Sequence, residues 1–422
     1  MKNYLQSYGR IPRNTLILYI SNLITSLISL FFFGILARYL GVSNFGVFSY
    51  VYAFMTVAQT TGAFGLDMFM IREISSDIPN AMNTAGGIFV LKILFSFLAL
   101  VIAIIVILLS NFDAATYKSL LIFSPYIILS NLNLTLWYIG DGYQKMEYRG
   151  LFTIIYYFMR TVAGLIVFQY TRDITILFAY LLLVEFLVLI ITLLTTNRYF
   201  GKIKLIISKD RLRKICASSF PFAIGSILSV SLLRMDILIL EALEDKTAVG
   251  FYSPAQKLVN MILLFSTAFS FAFYPAMSHS SKTSEKNAYN LFINSMKIML
   301  VIGLLFSLSM TLITTPVISI IFGSEYLVSA KILKILIWMS PPYFCASILW
   351  MLFAVKNYQH WTMIIYLAVF PFTFLMNVLL VKQLSFFGTA LAMVLFSFVI
   401  FIITFITYYK KKEQLFNMSE LK

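Results

Sequence analysis

A chain of 422 residues with 60% hydrophobic, 17% aromatic and only 12% charged side chains carries too much apolar surface for a water-soluble fold. Soluble domains hold about 25% charged residues, and their interiors grow too slowly with size to hide such an excess. The bilayer is the solvent that fits, so the net charge of +15 has to be read by position, and the two distant cysteines, Cys216 and Cys345, exclude a disulfide framework or a cysteine-based metal site.

Met1 to Arg13 is polar and basic, and no small-residue cleavage site follows the first apolar run, which is expected to be a retained helix. About 20 mainly apolar residues span a bilayer. By that measure twelve spans are expected, near 14–37, 46–70, 83–110, 119–140, 151–170, 174–196, 216–240, 249–275, 289–313, 330–354, 362–381 and 386–409. The longest loop on the outer side is expected around 314–329. The fold class is thus an all-α polytopic membrane protein.

Orientation follows from the lysines and arginines. Both termini and the loops after even-numbered spans hold 20 of them, against 6 in the opposite set, Arg38, Lys118, Arg172, Lys246, Lys331 and Lys382. Both termini are therefore expected on the cytoplasmic side. The basic run from Arg198 to Lys214 reads as a linker lying on anionic lipid rather than a nucleic-acid patch. It divides the chain into a six-helix bundle (1–200), a linker (201–215), a second six-helix bundle (216–409) and a basic tail (410–422). An even number of spans in each half makes any repeat a parallel one. A shift of 204 residues lays Ser43-Asn-Phe-Gly46-Val-Phe48-Ser49 over Thr247-Ala-Val-Gly250-Phe-Tyr252-Ser253. Such duplication favours transport.

Ionisable groups at membrane depth cost roughly 2.5–3.5 kcal/mol each and usually face a cavity or a partner. Lys92, Arg160, Arg234, Lys257 and Lys297 are the cationic candidates for a substrate cavity, with Lys334 nearer a helix end; Asp67, Glu185 and Asp236 are weaker candidates for ion coupling. Cations outnumber acids, which suits an anionic cargo whose phosphates neutralise them during passage. Arg160 and Glu185 sit at similar depth on adjacent helices and either line the cavity or neutralise one another. Lys92 and Lys297 lie 205 residues apart, at nearly equivalent places in the two halves, and too deep to snorkel easily. Asn131, Asn133, Trp137, Tyr138, Tyr156 and Tyr157 form polar aromatic patches that stack on sugars or line the interface; for Trp137 and Tyr138 an interfacial belt is expected.

No Gly-rich phosphate loop, nucleophile motif or metal-ligand spacing appears, and His279 and His360 fall in expected cytoplasmic loops. No cofactor, metal or nucleic-acid partner is expected, and the chain reads as a transporter rather than an enzyme.

The stretch Ile35-Leu-Ala-Arg38-Tyr-Leu-Gly41-Val-Ser-Asn-Phe-Gly46-Val-Phe-Ser-Tyr50 resembles the junction of the first two helices in the polysaccharide-unit flippases of the multidrug/oligosaccharidyl-lipid/polysaccharide exporter superfamily. Phe64-Gly65-Leu66, Ile71-Arg72-Glu73-Ile74 and the second-half segments Arg234-Met-Asp236-Ile and Gly250-Phe-Tyr252-Ser-Pro-Ala255 continue the likeness. The resemblance implies a MATE-like fold of two six-helix bundles around a cationic cavity in the inner (cytoplasmic) cell membrane. It implies alternating-access movement of undecaprenyl-pyrophosphate-linked oligosaccharides to the outer leaflet for O-antigen, capsule or exopolysaccharide assembly. Membrane lipids and polymerase or chain-length machinery are the implied partners. The rivals are a multidrug or cation antiporter and a lipid-linked peptidoglycan-precursor flippase of the same superfamily, and, from another class, a membrane glycosyltransferase or polymerase.

Overall fold

The computed structural model describes residues 2–204 and 209–416, with the side chains of 2–16, 19, 209, 211, 268, 271 and 272 excepted. Part of the expected basic linker and the end of the basic tail lie outside the described residues. Among those described, all regular structure is helical. In lipid this is the economical answer, because a helix satisfies its own backbone polar groups.

Of the breaks at 41, 64–65, 124–125 and 385, all but the last are marked by glycine or proline. Helix α1 (Lys2–Ala63) contains the first two expected spans, joined at Gly41 (φ 70°, ψ 172°). Phe64 and Gly65 (φ 48° and 64°) then interrupt the second span, and α2 (Leu66–Ser76) completes it. Next come α3 (Ala81–Leu109), α4 (Ala114–Phe123) and, after Pro125, α5 (Tyr126–Gly142), followed by α6 (Met146–Tyr170) and α7 (Ile174–Tyr199). The later part of the chain forms α8 (Lys209–Leu243), α9 (Lys246–Thr283), α10 (Glu285–Ile321), α11 (Leu327–Leu336), α12 (Ser340–Val355) and α13 (Gln359–Leu415). Helix α13 joins the last two expected spans across Ser385 (φ 51°), the exception to the rule.

Nine described segments are long and apolar enough to cross a membrane. Two of them are each two helices, across Gly41 and Ser385, and α9 adds one more, so the twelve expected spans are all present as helices. Two expectations need correction. The outer loop near 314–329 is mostly helix, since α10 runs to Ile321 and a 3₁₀ turn begins at Ser324. His279 and His360 lie within α9 and α13 rather than in loops.

The chain divides into two compact units, Met1–Leu40 with Val47–Arg234, and Gly41–Gly46 with Met235–Lys422. Helix α8 thus begins in the first unit and ends in the second. In the first unit α5 packs on α2, α3, α6 and α7, around a core that includes Leu66, Met70, Ile88, Leu136 and Ile139. In the second unit α12 packs on α9, α10 and α13, with α11 against α9 and α10. Outward faces are rows of large apolar side chains, such as Leu98, Ile102 and Ile105 on α3 and Val301, Leu305 and Leu308 on α10. A helix apolar on its outward face as well as its packed face belongs in lipid.

The two aligned glycine motifs meet each other inside the second unit. A Cβ on Gly46 would lie 1.7 Å from the Lys246 carbonyl oxygen, and one on Gly250 would lie 2.1 Å from that of Val42. Val42 and Lys246 are themselves 204 residues apart. The contact is therefore reciprocal, which is how a local two-fold relation between repeated segments presents itself. Only hydrogen at the α-carbon permits so close a crossing.

Candidate functional site

The first unit encloses two ionic clusters, each assembled from several helices. In the first, Lys92 of α3 is fully buried. Its Nζ donates to Asp67, the second residue of α2 just beyond the Gly65 break, and lies 3.5 Å from the Asn131 carbonyl oxygen. Asn131 donates to Ser96 Oγ at 2.8 Å and to the Gln59 carbonyl at 2.9 Å, and accepts from Gln59 Nε2 at 2.6 Å. Asp67 and Lys92 therefore partner one another, and the Asp67 carboxylate offsets the Lys92 charge.

The second cluster is organised differently. Arg160 of α6 is 4% exposed, with its guanidinium 4.6 Å above the Tyr52 ring and Nη1 donating to the Tyr52 hydroxyl at 3.1 Å. Nη1 also reaches the Tyr156 hydroxyl, one turn earlier, at 3.5 Å. Tyr156 in turn donates to Glu185 Oε1 of α7. Asn133 of α5 donates to Glu185 Oε2 at 3.0 Å and to its carbonyl at 3.1 Å. Arg160 and Glu185 thus communicate through a tyrosine hydroxyl instead of touching. Arg160 Nε and Nη2 and Asn133 Oδ1 are buried without a hydrogen-bond partner among the described residues. Buried donors of a guanidinium left open this way are costly and match the oxygens of an anion.

Beside this cluster lies a cavity of about 240 Å³, whose wall includes Glu185, Asn133, Tyr52, Tyr157, Trp137 and Arg149. It extends to Arg149, whose side chain is 27% exposed and pairs with Asp141 at 2.9 Å. Arg149 also stacks on Tyr138, at 5.2 Å. The belt expected for Trp137 and Tyr138 is corrected here. Trp137 is buried and its Nε1 points to Thr192 Oγ1 at 3.4 Å, and both side chains wall the cavity.

The other expected residues are placed apart. Asp236 of α8 is fully buried, accepting from Tyr252 Oη at 2.7 Å, Gln256 Nε2 at 2.6 Å and the Ile237 amide at 2.8 Å. Arg234 is half-buried, within electrostatic reach of Tyr157. Lys257 is half-buried on α9 and has a partner of its own. Lys297 is exposed on α10, beside Ile298 and Val301 and away from the packed face of Ser295 and Met299. The residues that sequence reasoning did not single out are Tyr52, Gln59 and the Arg149–Asp141 pair. Tyr52 and Gln59 sit inside a largely apolar run, and Asp141 falls just past the expected span 119–140, where a charged residue is ordinary.

A model of the polysaccharide biosynthesis proteins matches residues 11–281. A search of curated proteins finds no match. Among solved structures the chain is similar to a lipid II flippase, MurJ, in an inward closed conformation, with a TM-score of 0.79 at 16% identity over 93% of this chain and 87% of that one. It is also similar to a MOP superfamily transporter from Pyrococcus furiosus, described as having a binding pocket of reversed polarity, with a TM-score of 0.70 at 14% identity over 96% of both chains. A MATE transporter in complex with MaL6 gives 0.65 at 13% identity, again over 96% of both. At such identities these likenesses establish the fold, a MATE-like and MurJ-like polytopic helical membrane protein.

Proposed function

The chain belongs to the polysaccharide biosynthesis protein family, and from that premise we propose that it is a flippase carrying undecaprenyl-pyrophosphate-linked oligosaccharide repeat units from the cytoplasmic to the outer leaflet. The product would feed O-antigen, capsule or exopolysaccharide assembly at the inner membrane, alongside polymerase or chain-length machinery. In this reading both termini are cytoplasmic, and 1–200 and 216–409 are the two halves of the carrier.

The observation that carries the reading is Arg160. A guanidinium buried to 4% exposure with two nitrogens unpartnered, set behind the Tyr52 and Tyr156 wall of the cavity, would be stabilised by an anion with several oxygens, as a pyrophosphate or an acidic sugar supplies. Lys92 is set aside as a direct cargo ligand because Asp67 occupies it, and Lys297 because it stands on an exposed apolar face. The amide and hydroxyl groups beside Glu185 suit the hydroxyls of sugars.

The test is leaflet-resolved translocation of a lipid-pyrophosphate oligosaccharide in proteoliposomes. Protein-dependent movement that falls at least about tenfold, a loss of roughly 1.4 kcal/mol, in Arg160→Gln supports the proposal. No protein-dependent movement of any such glycan overturns it. The likeness to a lipid II flippase favours one second reading. Movement of lipid II and not of repeat units would install that reading instead.

A further inference from the structure

We propose that the second unit carries a platform for neutral carbohydrate, built from Tyr343, Trp350 and Tyr366, which holds a sugar ring of the cargo through the Trp350 indole. The inference rests on the flippase reading and names the part of the cargo that α12 and α13 handle.

Helix α12 packs on α9, α10 and α13, and from Ser340 to Phe353 every residue is buried except Tyr343 and Trp350. Those two are seven positions apart and share one face of the helix, with Ser347 between them. The face is not turned to lipid. Lipid-facing helices in this protein show rows of exposed large apolar side chains, as on α3 and α10, and α12 shows none. Tyr366 of α13 and Ser270 of α9 border it instead. The Trp350 ring lies 5.5 Å from that of Tyr343 and 5.7 Å from that of Tyr366, and Ser270 Oγ donates to Ser347 Oγ at 3.4 Å.

Trp350 Nε1 is buried and has no hydrogen-bond partner among the described residues. Buried indole N–H groups usually have one, and an open donor is destabilising until something brings it an acceptor. Membership of an interfacial belt does not account for this group. A belt tryptophan keeps its N–H at the headgroups, whereas this one is enclosed. Tyr343, on the same face, lies twelve residues from the end of α12 at Val355, about 18 Å at 1.5 Å per residue.

The chemistry of the cluster selects its ligand. Tyrosine, tryptophan and serine carry no charge near neutrality, so nothing here balances a phosphate or a carboxylate. Aromatic faces are apolar and electron-rich, which suits the polarised C–H groups on the face of a pyranose. The indole N–H lies in the ring plane and meets a hydroxyl, ring or acetamido oxygen at the rim. A neutral hexose or N-acetylhexosamine supplies both contacts in one residue.

Chain order points the same way. Helix α12 completes the fourth span of its half after the ten-residue α11 and a break, as α5 does after the ten-residue α4. In the first unit α5 walls the cavity with Asn133 and Trp137. Its counterpart in the second unit presents an aromatic face of its own, without the charged groups, Glu185 and Arg149, that line the first.

The experiment is photolabelling of the full chain in detergent with a short-chain isoprenyl pyrophosphate bearing neutral hexoses, one of them carrying a diazirine. Labelled peptides are mapped by mass spectrometry. Wild type should be labelled within 343–366, and excess unlabelled glycosylated probe should suppress the label. Trp350→Phe keeps an aromatic ring and removes the N–H. It should weaken binding of the glycosylated probe roughly 3- to 10-fold and leave binding of the sugar-free isoprenyl pyrophosphate unchanged. Labels confined to the first unit, or labels at 343–366 that unlabelled probe does not suppress, overturn the platform and leave the flippase reading standing. Equal weakening of both probes in Trp350→Phe does the same, since that is what a packing role alone would give. The wild-type labelling decides the matter even where the variant does not fold. Absence of binding of either probe by wild type overturns the flippase reading and the platform with it.

Discussion

Lys92 and Lys297 occupy similar positions in the two halves of the sequence, yet one is fully buried against a carboxylate and the other stands on an exposed apolar face. The packed stripes of α3 and α10 superpose at a shift of 204, pairing Ile88 with Phe292, Ala99 with Gly303 and Ala103 with Ser307. Lys297 is 205 residues from Lys92, one position beyond that register. One position is about 100° of helix rotation, enough to turn a side chain from the packed face to the outer one. The first unit therefore holds its charges inside, in ionic clusters that span helices. The second is held at its glycine motif by backbone crossing, and apart from the fully buried Asp236 its deep polar groups are largely neutral, such as Ser340, Asn377 and Thr389.

The strongest way to break this contrast is to add a methyl at the crossing. Gly46→Ala places carbon 1.7 Å from a carbonyl oxygen that is itself helix backbone, so nothing flexible can yield. A loss above about 4 kcal/mol, at the extreme of single substitutions, is expected for Gly46→Ala and somewhat less for Gly250→Ala. It is read as collapse of the monodisperse peak in size-exclusion chromatography. Gly225→Ala in α8, where the new carbon meets open space, should instead gain up to about 1 kcal/mol from helix propensity.

Charge removal sharpens the same comparison. Lys92→Met leaves Asp67 facing the interior alone, and breaking one side of a buried pair costs about 3–5 kcal/mol. The lower end applies, because Asp67 keeps 19% exposure. Lys297→Met should change the thermal midpoint by no more than the equivalent of about 0.5 kcal/mol. Equal losses at the two lysines would mean that the halves are alike after all.

Next in size is Asp236→Asn. It weakens the charge-assisted bonds from Tyr252 and Gln256 and should cost about 2 kcal/mol in chemical denaturation.

Much of the fold was legible because a spanning helix needs only a long apolar run, and all twelve runs are helices. The repeat was legible through Gly46 and Gly250, since a position that tolerates no side chain keeps its residue type in both halves. The break at Ser385 gave no such signal, as no glycine or proline marks it. Site assembly was harder to read. Arg160, Tyr156, Glu185, Asn133 and Tyr52 come from four helices, and apolar periodicity does not state which polar residues of neighbouring helices share a depth and a face. Trp137 and Tyr138 show the same limit: their type is common to interfaces and pockets, and tertiary packing alone places them beside Arg149.

The smallest effect probes the second unit's own ion pair. Lys356 Nζ donates to both oxygens of Glu285, at 2.7 and 3.0 Å, and lies 5.2 Å from the Phe416 ring. The partners keep 14% and 19% exposure, and Lys412 stacks on Tyr289 nearby, at 4.8 Å. Water reaches this pair from its open side, so screening applies and the net worth is that of a surface bridge, about 1 kcal/mol or less. Lys356→Met preserves the packing of the stem and removes the charge alone. Its thermal midpoint should fall slightly at low salt, and the difference from wild type should fade as salt shortens the screening length. A loss of about 3 kcal/mol that ignored salt would mean that this pair is enclosed as the Lys92 pair is in the first unit, and the contrast between the units would then be one of location rather than of kind.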